Sequence, residues 1–210
     1  MRVVVLSNRR DAYVHEAIAS IIEHLTGWTD LVVVDDSGDE DHRQRMAARY
    51  PDVEIVPVAP EAAGYGVAMQ TALDAMTGDH SVLWEEDFRA LAPIDLADAA
   101  VLLDMFKSLA QVAFLRGPWF ANEHAHGGVI EAREAEGARF HRSPVLIRHR
   151  DHFTCNPTVL PRRTFTRPWP TGAWSEGAFG RALVRDGFEF AYLNRGVLVE
   201  HVGIRDGWGY

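Results

Sequence analysis

Apolar positions along the first ninety residues fall into two alternating patterns. Val3 to Ser7, Leu31 to Val34, Val53 to Val58 and Ser81 to Trp84 are short, nearly continuous apolar runs rich in β-branched residues. That is the pattern of strands covered on both faces. Between the runs, apolar residues recur every three or four positions. Val14, Ala17, Ile18, Ile21, Ile22 and Leu25 form one stripe, with Asp11 as its expected N-cap and Gly27 as its stop. Asp39 to Tyr50 forms a more polar one, with Met46, Ala47 and Tyr50 turned inward, and Gly64 to Met76 a third, with Ala68, Ala72, Ala75 and Met76 on one side before Gly78. Strand and helix in strict alternation predict βαβ units and a parallel sheet flanked by helices. In such sheets ligands bind outside the carboxyl ends of the strands.

The second half is less regular. Asp95 to Lys107 has helical spacing, and Gln111 to Arg116 reads as a strand. Residues 117–144 show no clean period, which predicts loops or an irregular hairpin around His124-Ala125-His126-Gly127-Gly128. Val145 to Arg148 reads as a short strand, and Asn156-Pro157 as the opening of a turn or short helix. Ser175 to Val184 reads as a helix ended by Gly187, followed by strands over Phe188 to Leu193 and Val197 to Val199. With no repeat, low-complexity stretch or linker, residues 1–210 are expected to form a single domain: 1–90 a nucleotide-binding half and 91–210 an acceptor-side half.

Composition narrows the function. The 210 residues are 47% apolar and 24% charged, enough for one sizeable core. The 21 bases and 30 acids leave a net charge of −9, which argues against a nucleic-acid partner gripped over a broad face. The acidity is concentrated: residues 1–100 hold seven arginines and nineteen acids, and residues 101–210 the other fourteen bases and eleven acids. Seven arginines lie between 139 and 167 against one acid, Asp151. Such a segment suits a diphosphate or an acidic acceptor, or simply a solvated face. The lone Cys155 excludes an internal disulfide framework and a cysteine-rich zinc site. No apolar run is long enough to span a membrane, and the apolar start is too short for a signal peptide. A soluble, cytoplasmic protein is expected.

The chemistry at the strand ends is carboxylate chemistry. Gly-x-Gly-x-x-Gly, the phosphate-binding loop ending in Gly-Lys, and Gly-x-Ser-x-Gly are all missing from the places where they would act. Asp35-Asp36 closes the second strand, where acids accept hydrogen bonds from a ribose or base, or cap the next helix. Glu85-Glu86-Asp87 closes the fourth. Three adjacent acids repel one another unless a cation or water relieves them, and oxygen-rich sites suit Mg2+ or Mn2+.

Taken in order, these segments resemble the family 2 type of GT-A glycosyltransferase. Ser7-Asn8-Arg9-Arg10 stands at the end of the first strand, Val34-Asp35-Asp36-Ser37-Gly38 at the second, and Gly64-Tyr65-Gly66 opens a helix leading to Gln70. Glu85-Glu86-Asp87-Phe88 is a variant of the Asp-x-Asp motif. Weaker matches follow at Cys155-Asn156-Pro157 with Arg162-Arg163, at Trp174-Ser175-Glu176-Gly177 and at Glu200-His201-Val202-Gly203. The resemblance implies a GT-A (Rossmann-like) α/β domain with a mostly parallel central sheet. It implies transfer of a sugar from a nucleoside-diphosphate sugar (UDP-, GDP- or dTDP-linked) to a hydroxyl of a glycan, protein or small molecule, with inversion and with Mn2+ or Mg2+. Ser7, Arg9, Asp35, Asp36, Gly66, Glu85 and Glu86 would bind the nucleotide-sugar. Asp87 and His201 would hold the metal, and Glu176 would be the catalytic base.

Each assignment has a plainer structural counterpart. Glu176 is also a first-turn acid favoured by the helix dipole. Trp119, Trp169 and Trp174 are stacking platforms or core, His201 a metal contact or a loop histidine, and His124-x-His126 a polar loop. Two other functions fit the same strand ends: a sugar nucleotidyltransferase, which would want glycine after the first strand, and a nucleotide-binding module without catalysis.

Overall fold

The four apolar runs of the first ninety residues lie side by side; three are buried, and the run at 54–57, expected to be covered on both faces, is a half-exposed edge. A computed structural model describes residues 1–59 and 64–203. The chain runs β1 (Arg2–Ser7), α1 (Asp11–His24), β2 (Leu25–Thr26), β3 (Asp30–Asp35), α2 (Glu40–Arg49), β4 (Glu54–Pro57), α3 (Tyr65–Ala75) and β5 (His80–Glu85). It continues through β6 (Phe88–Ala90), β7 (Ile94–Asp95), α4 (Leu96–Met105), β8 (Leu109–Ala113), α5 (Ala121–His126) and α6 (Val129–Ala135). Then come β9 (Phe140–Arg142), β10 (Leu146–His149), β11 (Thr158–Pro161), α7 (Arg162–Phe165), α8 (Ser175–Arg185), β12 (Glu189–Leu193) and β13 (Val199–His201).

Nine strands form one sheet in the order β4-β3-β1-β5-β11-β8-β12-β10-β9. From their pairings, β10 and β11 run against the other seven, so the sheet is mostly parallel. Alternate residues serve opposite faces. Val3, Val5, Val33, Val82 and Trp84 pack with α1 and α4, while Val4, Leu6, Val34 and Leu83 pack with α3 and α8. All nine are buried, each contributing about 1.5–3 kcal/mol by leaving water. Among the described residues no helix is long and apolar enough to cross a membrane.

Several expectations are corrected. Arg10, not Asp11, is the N-cap of α1, and it makes no side-chain cap bond. Asp11 instead bonds His42 and Arg45. Ile22 is exposed on the outer side of α1, while Ile21 and Leu25, the latter already in β2, are buried in the core. In α2, His42 and Met46 face inward while Ala47 is exposed. The stretch 117–144 holds two short helices, α5 and α6, and strand β9, so His124 and His126 sit exposed on a helix. Asn156-Pro157 leads into β11 rather than a turn or helix. Four residues are too few to show a period, and they are a strand because β5 and β8 bind them on both sides. α8 approaches the same core closely: a Cβ on Gly180 would lie 2.8 Å from the Phe153 Cβ.

The register aligns the strand ends. Ser7 pairs with Asp35, and Leu6 with Glu85. The turns continue it, with Asp36 N–H donating to the Ser7 carbonyl at 2.9 Å and Glu86 N–H to Leu6 at 3.0 Å. The polar segments read from the sequence therefore reach one edge of the sheet together.

Candidate active site

A wide cleft of about 1690 Å³ opens at that edge. One wall comes from the first half: the turn after β1, the start of α3 and the end of β5. The other comes from the second half: Arg116 and Trp119 after β8, Cys155 before β11, Trp169 and residues 171–177 leading into α8, and His201 with Gly203 after β13.

Several of the residues expected to bind a nucleotide-sugar are enclosed and hydrogen-bonded within the protein. Ser7 and Asp35 are each 1% exposed. Asp35 accepts from Ser37 N–H at 3.1 Å, Ser37 Oγ at 2.7 Å and Arg43 Nη1 at 3.1 Å, so its oxygens are occupied in folding the β3–α2 turn. Asp36, also buried, accepts from Gly64 N–H at 3.4 Å, and burial raises its carboxyl pKa. Glu86 is 1% exposed and fully engaged: Oε2 takes Ser7 Oγ at 2.7 Å and Asn8 N–H at 3.0 Å, and Oε1 takes Arg10 Nε at 2.5 Å. Its carboxyl is raised by burial, with those donors working against the shift. Arg9 lies in the cleft wall in a left-handed backbone conformation (φ 61°), its Nε donating to the Ser37 carbonyl at 2.5 Å. Gly66 lines the cleft, where a Cβ would meet the Pro170 carbonyl oxygen at 3.6 Å and the Trp169 side chain at 4.0 Å, both ordinary contacts.

Glu85, Glu86, Asp87 and Glu176 all line the cleft, and Glu86 alone among them has donors on both oxygens from the turn after β1. Glu85 accepts from the Tyr65 hydroxyl at 3.4 Å. Burial pushes its carboxyl well above the usual range, and the negative charges of Asp87 and Glu176 push it further. Glu176, in the first turn of α8, accepts the Cys155 N–H at 2.7 Å. Burial raises its pKa, partly offset by that bond and by His152. A carboxylate that binds its proton more tightly than usual is a competent base near neutral pH. The Cys155 thiol and the Tyr65 hydroxyl border the same carboxylates, and burial raises both.

Asp87 Oδ2 lies 3.5 Å from His201 Nε2. The imidazole is held between Trp119, with ring centroids 4.1 Å apart, and Phe88 at 4.7 Å, edge-on. A Cβ on Gly203 would lie 2.8 Å from Asp87 Oδ2 and 2.9 Å from His201 Cε1, so glycine keeps this pocket open. One carboxylate and one imidazole fit a divalent cation that takes its other ligands from substrate oxygens and water. Among the described residues no cluster of three or more histidine, cysteine or acidic side chains stands ready for a metal. His124 and His126 are not in the cleft wall, and neither are the arginines of 139–167. Arg142 pairs with Glu134, Arg150 with Glu189 and Arg167 with Asp186.

Sequence reasoning passed over Arg10, Tyr65 and the Arg116–Glu123 pair. Arg10 and Tyr65 lie inside segments already singled out, and only distance shows which carboxylates they reach. Arg116 grips Glu123 with two bonds of 2.7 Å. Glu123 also accepts the N–H groups of Trp119 and Phe120, which sets Trp119 against His201. All three tryptophans reach the cleft. Trp169 is 5% exposed, with no partner for its Nε1 among the described residues. Trp174 is 87% exposed at φ 59°, just ahead of α8.

No protein-family model and no curated protein sequence matches the chain. Solved structures do. The chain is similar to mannosyltransferase PcManGT from Pyrobaculum calidifontis in complex with GDP-Man and Mn2+, at 19% identity and TM-score 0.66, over 99% of this chain and 58% of that one. It is similar to GalNAc-T7 with UDP, GalNAc and Mn2+, at 13% identity and TM-score 0.69, over 99% and 44%. It is similar to S. aureus TarS 1–349, at 13% identity and TM-score 0.62, over 96% and 60%. The chain thus spans between 44% and 60% of these proteins. At such identities the likeness is one of fold, and the fold is that of the GT-A glycosyltransferases.

Proposed function

We propose that the protein is a glycosyltransferase of the family 2 type, moving a hexose from a nucleoside-diphosphate sugar to an acceptor hydroxyl with inversion. The observation that carries this reading is the convergence, in one cleft at the carboxyl ends of parallel strands, of Glu176 and Glu85 with the Asp87–His201 pair. Glu176 takes the proton of the acceptor hydroxyl as its oxygen bonds to the anomeric carbon. The bond from that carbon to the diphosphate breaks on the opposite face, and the nucleoside diphosphate leaves with the bonding pair. Asp87 and His201 would hold Mn2+ or Mg2+, which when bound neutralises charge on the diphosphate. Glu85, beside Asp87 and Glu176, accepts a hydrogen bond from a hydroxyl of the donor. Trp174, exposed at the cleft, offers a ring face to sugar, while Trp169 is packed against Phe153 and Phe179. The enclosed residues Ser7, Asp35 and Glu86 act through the residues they hold in place. A single buried, unpaired cysteine suits a cytoplasmic setting.

The test is a thermal-shift series with UDP, GDP, dTDP and CMP, each with Mn2+ and with EDTA. One nucleoside diphosphate should raise the melting temperature by about 5 °C in the presence of Mn2+ only. Asp87→Ala should lose the shift and Glu176→Gln should keep it. No shift with any nucleotide at millimolar concentration would overturn the reading. A shift indifferent to EDTA and to Asp87→Ala would favour a metal-independent binding module.

A further inference from the structure

Arg10 occupies a place that the reaction above does not explain. Its backbone caps α1, but its side chain caps nothing there. The guanidinium instead spans two carboxylates at the end of β5. Nε donates to Glu86 Oε1 at 2.5 Å, and Nη2 to Asp87 Oδ2 at 3.3 Å. Its carbon end lies 5.2 Å above the Tyr13 ring.

The two ends of this bridge differ. Glu86 is buried, and its other oxygen is fixed by Ser7 and Asn8. The Nε bond is therefore an anchor. The Nη2 bond is long, and Asp87 faces the cleft. The oxygen it reaches, Oδ2, is also the one 3.5 Å from His201 Nε2. One carboxylate oxygen thus has two claimants: the guanidinium on one side and any cation between Asp87 and His201 on the other. Arginine cannot give up its proton to relieve the conflict. Two cations in contact within a partly dehydrated cleft repel unless an anion lies between them. A diphosphate is such an anion, and its oxygens suit the planar guanidinium fork.

Resting on the reading of Asp87 and His201 as the metal pair, we infer that Arg10 is a positioning residue that couples metal to nucleotide. It holds Asp87 until a diphosphate arrives, then turns its Nη groups onto the phosphate oxygens and releases Asp87 to the divalent cation. Mn2+ and nucleoside diphosphate then bind cooperatively, and Mn2+ alone binds weakly.

The experiment is a Mn2+ titration read by electron paramagnetic resonance of the free ion, without nucleotide and with UDP or GDP. The proteins are the unsubstituted chain, Arg10→Lys, Arg10→Gln and Asp87→Asn. Lysine keeps a charge beside Glu86 but is too compact to span both acids, which protects the fold if glutamine does not. Thermal melts report that directly. The unsubstituted chain should bind Mn2+ about tenfold more tightly with the diphosphate than without. Arg10→Lys should bind Mn2+ alone about tenfold more tightly than the unsubstituted chain, and its coupling should fall to about twofold or less. Asp87→Asn should bind none. Arg10 variants with unchanged Mn2+ affinity and coupling, beside an Asp87→Asn that binds no Mn2+, would overturn the role of Arg10 and leave the metal pair standing. Mn2+ binding indifferent to Asp87 would remove the metal pair, and the inference with it.

Discussion

Glu85 and Glu86 are neighbours at the end of one strand, both line the cleft, and they differ in what holds them. Glu86 has Ser7, Asn8 and Arg10 around its two oxygens. Asp35 is placed the same way, held by Ser37 and Arg43. Glu85 points into the open cleft with a single long bond from Tyr65 and with the charges of Asp87 and Glu176 nearby. Burial acts on Glu85 and Glu86 alike. What separates them is the supply of donors. A buried carboxylate with a donor for each oxygen is structural, because its charge is already satisfied. A carboxylate in the cleft wall with few donors and acidic neighbours is left to bind a proton or a ligand.

Substitutions can break that contrast, beginning with the largest effect. Glu176→Gln keeps the acceptor for Cys155 N–H but cannot take a proton, so kcat should fall about 10³-fold while donor binding holds. Because the folded pKa of Glu176 is raised, the charged form is the destabilised one. Its contribution to stability is fully present below the ordinary glutamate range and is lost as pH rises through the folded value. Melting curves should therefore show Glu176→Gln equal to the unsubstituted protein at low pH and more stable above it. The acid limb of kcat/KM should lie above the ordinary glutamate value and vanish in the variant. A variant with full kcat would return Glu176 to the role of a helix-dipole acid.

Glu86→Ala probes the carboxylate with donors on both oxygens. It strands Arg10, the Ser7 hydroxyl and the Asn8 N–H, and should cost about 3 kcal/mol in chemical denaturation. Glu85→Gln, by contrast, should leave stability unchanged or improved, since it removes a poorly solvated charge. If both cost the same, the division by donor supply fails. The smallest effect belongs to His124→Ala and His126→Ala. Both side chains are exposed on α5, away from the cleft. Each should change stability by under about 0.5 kcal/mol and leave Mn2+ affinity untouched.

Much of this was legible in the residues. Continuous apolar runs such as Val3–Leu6 and Leu31–Val34 predicted buried parallel strands, and their polar ends located the cleft. Less legible was the second half. β11 has four residues and no period of its own, and it is a strand because β5 and β8 flank it. The helices α5 and α6 are short, and Glu123, which organises the first of them, acts through Arg116 seven positions earlier.

What the sequence determined by itself is local: the alternation of strands and helices, the acids at the strand ends, and the absence of room for other phosphate-binding motifs. Those follow from periodicity and spacing, which act over a few residues. Which acids face solvent and which are enclosed was decided by the tertiary structure. Asp35 and Asp36, or Glu85 and Glu86, are indistinguishable by type and position. The surroundings of Glu85 and Glu86 come from Ser7, Arg10, Tyr65 and Glu176, brought together across as many as 91 positions between Glu85 and Glu176. Charge and donor supply in a cleft are sums over everything folded around it, and no local window of the chain contains that sum.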